Sequence, residues 1–107
     1  MRFEIVLAPT AIKGLRGLGA GLRARVRDAI ELHLRHEPKR LSKSRIKRLR
    51  GLDRPQYRLR IDEVRVFYDV TEETVEILAI VSKAETAAWL AEEATPATPS
   101  GSGEGEG

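Results

Sequence analysis

The chain has 107 residues, of which 41% are hydrophobic and 33% are charged, and its formal net charge is +3 with no Cys. This length allows one small domain with one modest core, and the lack of Cys excludes disulfides, thiolate metal sites and cysteine nucleophiles. No apolar run is typical of a signal peptide or a membrane span, so we expect a soluble, cytoplasmic protein.

The first part of the chain predicts one strand followed by two helices. Residues 2–7 place Phe3, Ile5 and Leu7 on one face, as a half-buried strand does. Pro9 suits the first turn of a short helix, and a second helix is expected over about residues 22–37, where Pro38 ends it. An apolar stripe along the second helix predicts that the two helices form a hairpin packed on a sheet. The stripe consists of Leu22, Val26, Ala29, Ile30 and His33.

Residues 38–54 form a basic connector, for which the sequence leaves open a helical turn or an irregular loop. The segments QYRLRI, VRVFYDV and TVEILAIV then predict an antiparallel meander, because each combines β-type residues with short flanking turns. The third segment is apolar on both faces, which is typical of a central strand. A capping box formed by Ser82 and Glu85 predicts a helix that continues to about Glu93.

These elements predict an α+β domain over residues 1–94. The N-terminal strand and the three-stranded meander would form one four-stranded sheet, with the helical hairpin against it and a short C-terminal helix after it. The remaining sequence, TPATPSGSGEGEG, has nothing to bury, so we expect a disordered low-complexity tail over residues 95–107.

The small net charge conceals a strong division along the chain. Residues 1–70 contain 18 Lys and Arg against 8 Asp and Glu, whereas residues 71–107 contain 1 against 8. Residues 35–60 alone contain 11 basic and 2 acidic residues. Positive charge concentrated in this way usually faces an anion such as a phosphate backbone. A solvated basic surface without a ligand is the alternative.

If residues 62–63 form a two-residue hairpin turn, the register of the first two meander strands follows by counting. Arg60 then faces Arg65 and Arg58 faces Phe67, so these side chains share one side of the sheet. Opposed arginines destabilise a ladder, and a bound phosphate would offset that cost because guanidinium groups match phosphate oxygens. Neutralisation by Asp62, Glu63, Asp69 or a C-terminal Glu is the alternative. The opposite, apolar side consists of Tyr57, Leu59, Ile61, Val64, Val66 and Tyr68.

The same hairpin carries a resemblance to a known family. The order strand, two helices and meander, with LRGLDRPQYRLRIDEVRVFYDVTEETVEILAIVSK, resembles the RelE/ParE superfamily of bacterial toxins. In that family a leucine-glycine step, here Leu49-Arg50-Gly51, precedes strands of the form YRLR and VRVFY. The resemblance covers about residues 2–92, and it implies a RelE-like fold and a small toxin that is paired with an antitoxin.

The resemblance implies one of two activities. One branch of the superfamily consists of ribosome-dependent endoribonucleases that cut mRNA and inhibit translation, and the other poisons DNA gyrase without cutting RNA. In the ribonuclease branch, basic residues of the hairpin surround the scissile phosphate, which implies Arg58, Arg60 and Arg65 here. That branch usually adds an arginine after the last strand and a C-terminal tyrosine, whereas this chain has Lys83 and Trp89. We predict an mRNA endoribonuclease; a gyrase poison and a weakened toxin that only binds its antitoxin are the alternatives.

Cleavage by 2′-OH attack needs a base, positive charge at the phosphate and an acid. Arginines supply charge but carry protons poorly, since their pKa lies above about 12. The proton carriers near the hairpin are Lys47, Lys83, Asp62 and Glu63, among which the sequence does not choose; Lys83 joins the three arginines as a catalytic candidate. We expect further basic residues of the connector to bind nucleic acid. They are Lys43, Arg45, Lys47, Arg48 and Arg50.

Other features predict neither a metal nor a cofactor. His33 and His36 lie three positions apart, but without Cys or a third His they are not expected to hold a metal, and no phosphate-binding glycine motif is present. Trp89 either stacks on a base or packs against the domain, and packing is the more common role.

The antitoxin implied by the resemblance should be acidic and amphipathic. It would cover the basic face or the helical hairpin, where Leu32 and Leu34 lie off the main stripe and would present an apolar margin. Strand addition to an open edge of the sheet is a further possibility that the sequence leaves open.

Overall fold

A mixed five-stranded sheet is the centre of the computed structural model, which describes residues 1–97. Its strands are β1 (Glu4–Leu7), β2 (Ile46–Arg48), β4 (Tyr57–Ile61), β5 (Val64–Val70) and β6 (Thr74–Ser82), and a separate pair joins β3 (Leu52–Arg54) to β7 (Thr95–Pro96). The order across the sheet is β1-β6-β5-β4-β2. Strand β1 is parallel to β6, and the other neighbours are antiparallel.

Two helices, α1 (Pro9–Arg16) and α2 (Ala20–Leu34), follow β1 and pack beside the sheet. Pro9 begins α1, as predicted, and the predicted hairpin is present. Helix α1 approaches β6 closely at Gly14, where an added Cβ would lie 2.1 Å from the Ile80 carbonyl oxygen. Glycine is therefore the residue that this contact allows.

The predicted register of the first two meander strands is confirmed at every position. Its apolar side is buried or half-buried against the helices. Tyr57 and Tyr68 stack there with ring centroids 5.5 Å apart, and the Tyr68 hydroxyl donates to the Pro38 carbonyl at 2.7 Å. Burial raises the pKa of Tyr68 well above its ordinary value, which keeps this hydroxyl protonated as a donor.

The C-terminal part also follows the sequence prediction up to residue 93. The capping box is present, since the Ser82 hydroxyl accepts from the Glu85 N–H and the Glu85 carboxylate accepts from the Ser82 N–H. A short 3₁₀ turn, Lys83–Glu85, leads into helix α3 (Thr86–Glu93). The α+β fold class is confirmed.

The connector differs from both expectations, because it contains β2 and β3 and extends the sheet to five strands. The Ser42 hydroxyl accepts from the main-chain N–H groups of Arg45 and Ile46, which turns the chain into β2. Ile46 is buried opposite Leu59. A three-residue strand with one apolar side chain offers too little alternation to be recognised in the sequence.

Two further boundaries differ. Helix α2 ends at Leu34, and Leu34 is fully buried, so its expected role in an exposed apolar margin is wrong. It lies four residues after Ile30 and therefore on the same helix face; Leu32 is 75% exposed. Thr95 and Pro96 pair with β3, so the first tail residues are ordered rather than loose. The rest of the predicted tail, residues 98–107, lies outside the described residues.

No helix within residues 1–97 is long and apolar enough to cross a membrane.

Candidate nucleic-acid interface

The sheet face opposite the predicted apolar side, called here the outer face, carries a group of basic side chains. Cross-strand partners share one side of a sheet. One row across β2, β4, β5 and β6 therefore joins Lys47, Arg58, Phe67 and Ala79, and the next row joins Arg60, Arg65 and Val81. We call Lys47, Arg58, Arg60 and Arg65 the cationic cluster.

Arg58 lies at the centre of this cluster and is half-buried. Its Nη2 donates to the Ser44 carbonyl at 3.1 Å, and its buried Nε finds no partner among the described residues. Burial lowers the pKa of Arg58, and the charges of Arg65 and Arg60 lower it further. The three guanidinium groups therefore repel one another, as the predicted register requires.

Arg65 is buried within the cluster, whereas a residue that binds phosphate from solution is expected to face solvent. It is only 7% exposed, and its Nη1 donates to the carbonyls of Asp62 at 2.9 Å and Val64 at 3.1 Å. The turn thus fixes the Arg65 side chain with main-chain acceptors, which leave its positive charge uncompensated. Arg60 is exposed and is therefore more accessible from solvent than Arg65.

Two of the carboxylates that the sequence offered as neutralising partners, Asp62 and Asp69, bind other arginines. Asp62 pairs with Arg25 of α2 at 2.9 Å. Asp69 and Glu76 both pair with Arg54, at 3.1 and 3.3 Å. Within residues 1–97, no carboxylate forms an ion pair with a member of the cationic cluster. The cluster keeps its full charge.

The neighbouring part of the outer face is organised around Arg54, Asp69 and Glu76, and we call these three residues the paired half. Asp69 is 8% exposed and also accepts from the Gln56 N–H at 2.7 Å. Burial raises the pKa of Asp69 despite the Gln56 hydrogen bond and the Arg54 charge, which lower it. This network was missed because Arg54 lies 15 and 22 positions from its two partners.

Trp89 packs on the outer face, which is the role that the sequence favoured. Its ring stacks on Phe67 with centroids 5.0 Å apart and an interplanar angle of 15°. Because Phe67 and Arg58 are cross-strand partners, the Trp89 ring lies beside the cationic cluster. Helix α3 thereby covers Phe67, which is fully buried.

The other predicted site residues are not all brought together. Lys83 is exposed after β6, and its N–H donates to the Glu63 carbonyl at 2.7 Å, next to the hairpin turn. Arg48 faces away from Lys47 and lies 5.3 Å above the Tyr57 ring. Lys43 and Arg50 are exposed in the segments that flank β2.

Arg45 lies at the edge of the sheet, near His33. Burial lowers the pKa of His33, and the charge of Arg45 lowers it further. In the part of the chain that the structure describes, no group of three His, Asp or Glu side chains is placed to hold a metal ion.

A second surface lies between β1, α1 and α2, where a groove of about 460 Å³ has an apolar floor and a basic rim. We call it the hairpin groove. Its floor includes Ile5, Leu7, Ile12, Leu15 and Ile30, and its rim includes Arg16, Arg27 and the ion pair between Glu31 and Arg35.

Comparisons with known proteins place these features in context. The family model for the ParE toxin of type II toxin-antitoxin systems, parDE, matches residues 5–87. A RelB-RelE antitoxin-toxin complex from Methanococcus jannaschii is similar with 20% identity and a TM-score of 0.61, over 78% of this chain and 96% of that chain. A comparison with curated proteins gives no match.

Two more solved structures are similar over comparable lengths. The RelBE2 toxin-antitoxin complex from Mycobacterium tuberculosis has 22% identity and a TM-score of 0.60, over 77% of this chain and 99% of that chain. An archaeal RelE-RelB complex from Pyrococcus horikoshii has 25% identity and a TM-score of 0.59, over 78% and 97%. The predicted RelE-like fold is confirmed.

Proposed function

The chain belongs to the ParE toxin family of the RelE/ParE superfamily and is a toxin of a type II toxin-antitoxin system; from this premise, we propose that it is a ribosome-dependent mRNA endoribonuclease. The observation that carries the proposal is the cationic cluster, which has no paired carboxylate within residues 1–97. Uncompensated arginines on one sheet face suit the extra negative charge that a phosphate develops during cleavage.

The proposed roles follow from exposure and register. Arg60 and Arg58 would hold the phosphate oxygens. The charge of Arg65, which is fixed within the sheet, would stabilise the negative charge of the transition state. Lys47 is our choice as proton carrier, because it is exposed beside Arg58 in the register of the sheet, whereas Asp62 is engaged by Arg25. Lys83 would add charge at the edge of the site.

The experiment expresses the toxin without its antitoxin and maps mRNA 5′ ends in the same cells. The wild type should cut translated mRNAs, and Arg60→Ala should reduce cutting by about 100-fold or more, the usual cost of removing a group that stabilises transition-state charge. Arg27→Gln, which alters an exposed arginine of α2, should cut like the wild type. Arg60→Ala with wild-type cleavage would contradict the proposal.

A gyrase poison is the second candidate, and one observation favours it. Arg65 is anchored to main-chain carbonyls, so two of its donors are already used, and arginines alone move protons poorly. The same cultures decide between the candidates if gyrase–DNA adducts are measured as well. Adducts with intact mRNA would replace the endoribonuclease with the poison.

The partner is an antitoxin, and we propose that it docks in the hairpin groove. The apolar floor complements the apolar face of an amphipathic helix, and Arg16 and Arg27, which form no ion pair within residues 1–97, complement its acidic residues. Ile12→Glu should reduce antitoxin capture in a pull-down by about tenfold or more, because it places a charge on the apolar floor. Leu32→Glu, at an exposed position outside the groove, is the control and should capture the antitoxin like the wild type. Loss of capture with Leu32→Glu alone would instead place the docking site at the C-terminal end of α2.

A further inference from the structure

A cleft of about 340 Å³ opens where the C-terminal end of α2 meets the connector, and the proposed function leaves it without a role. We call it the edge cleft. Leu32 and His33 of α2 form one wall, and Leu41, Ser42 and Arg45 of the connector form the other. Its volume lies at the lower end of the range of small-ligand sites, which begins at about 300 Å³.

The main chain that precedes β2 joins a wall of the edge cleft to strand β4, which carries Arg58 and Arg60. The Arg45 carbonyl, in a wall residue of the cleft, accepts from the Arg60 N–H at 2.8 Å. The adjacent Ser44 carbonyl accepts from Arg58 at 3.1 Å. Neighbouring strands lie about 4.8 Å apart, so the cleft wall at Arg45 lies about one strand spacing from the main chain of Arg60.

The chemistry of the cleft combines a free cation with apolar surface. Arg40 is neutralised by Glu37 at 3.0 Å, whereas Arg45 forms no ion pair with the carboxylates of residues 1–97. Leu32 and Leu41 are 75% and 58% exposed and line the same cleft, so they offer apolar surface to a ligand that enters it.

His33 adds hydrogen-bonding capacity to this wall. Because burial and the Arg45 charge lower its pKa, the imidazole is neutral at pH 7 and offers one donor and one acceptor. An anionic group beside Arg45, a flat apolar body on the leucines and a polar edge near His33 together describe a nucleotide. An acidic protein segment would match Arg45 but would leave the imidazole edge unused.

We propose that the edge cleft is a nucleotide subsite, which holds a neighbouring nucleotide of the RNA strand whose phosphate lies on the cationic cluster. Arg45 binds the backbone phosphate of that nucleotide, and Leu32 and Leu41 contact its base. The subsite rests on the proposed RNA-directed function and extends it from one phosphate to a track around the β2 edge.

The test measures the binding of single-stranded oligoribonucleotides of about three and about nine nucleotides to the purified full chain by fluorescence anisotropy. The longer probe should bind at least about tenfold more tightly than the shorter one, because only it reaches both sites. Leu41→Ala and Arg45→Gln should remove this advantage without changing the affinity for the short probe. Both positions are exposed, and thermal unfolding verifies that the variants remain folded.

The matched controls are Val6→Ala and Lys13→Gln, which make comparable changes at exposed positions outside the edge cleft, the cationic cluster and the hairpin groove and should leave both affinities unchanged. Arg60→Ala should weaken both probes. If the long probe has no advantage, or if the cleft variants lose antitoxin capture instead of RNA affinity, the subsite is overturned. If cells show no mRNA cleavage while the length advantage and its loss in the variants persist, the subsite stands and only the endoribonuclease proposal falls.

Discussion

The paired half and the cationic cluster occupy the same outer face but treat their arginines in opposite ways. Arg54, whose side chain is 48% exposed, is matched by two carboxylates. Arg58 and Arg65 are less exposed and have no carboxylate partner within residues 1–97. Leaving the more buried charges unpaired is the costlier arrangement. The unpaired cluster therefore lowers the stability of the domain, which is expected of a site that binds an external anion.

The largest expected effect comes from removing cations from the cluster. The double variant Lys47→Ala, Arg60→Ala should lose at least about 100-fold in mRNA cleavage. Its free energy of unfolding should stay constant or rise by some tenths of a kcal/mol, because like charges on one sheet face are relieved. Cleavage mapping and urea unfolding measure the two quantities. A large loss of stability would mean that the cluster is structural.

The opposite pattern is expected for the paired half. Arg54→Ala should lower the free energy of unfolding by about 1 to 2 kcal/mol, because it leaves the buried Asp69 carboxylate with its Gln56 hydrogen bond alone. Cleavage at a temperature where the variant is folded should remain at the wild-type level. Arg54→Lys, which keeps the charge, should recover part of the stability. A variant that loses cleavage but keeps its stability would assign Arg54 to the site instead.

The cluster can also be converted towards the paired arrangement. Val81 faces Arg65 across the sheet and shares the outer face with it, so Val81→Glu places a carboxylate among the arginines. We expect RNA affinity to fall by about tenfold, because the new carboxylate competes with phosphate for the guanidinium groups. Val81→Gln has nearly the same size without the charge and should bind RNA like the wild type. Equal losses in both variants would point to packing rather than charge.

Local sequence patterns predicted the register of β4 and β5, whereas the features of the site that depend on long-range contacts were not predicted. The facing of Arg60 and Arg65 follows from alternation around a two-residue turn, and it is confirmed. The hydrogen bonds from Arg65 to main-chain carbonyls cannot be predicted from the order of side chains along the sequence. The paired half depends on residues that only the meander brings together, so a count of nearby acids could not assign Asp69 to Arg54 rather than to the cluster.

The boundary between the two regions is the stack of Trp89 on Phe67. Trp89→Leu should lower the free energy of unfolding by about 1 kcal/mol, the usual value of an aromatic pair together with some lost contact area. RNA affinity should remain unchanged, because the ring is occupied by Phe67. Anisotropy with the longer oligoribonucleotide measures this. Weaker binding with full stability would show that Trp89 leaves Phe67 to stack on a base.

The smallest effect concerns the pH dependence of the paired half. Burial raises the pKa of Asp69 in the folded chain above its ordinary value of 3.8, so the folded state takes up this proton more readily than the unfolded state does. The carboxyl group therefore favours folding most at low pH, and this contribution is lost as the pH rises through the raised pKa. Relative to Asp69→Asn, the wild type should gain stability as the pH falls from neutral towards 3.8.

Urea unfolding of both proteins across this pH range gives that difference directly, and equal slopes against urea verify that the same surface is exposed in each. The comparison isolates Asp69 because every other acid is common to the two proteins. A difference that stays constant would mean that Arg54 and Gln56 fully offset the burial of the carboxylate. A difference of the opposite sign would mean that Arg54 and Gln56 more than offset the burial, so that the paired half stabilises the charged form of Asp69 in the folded chain.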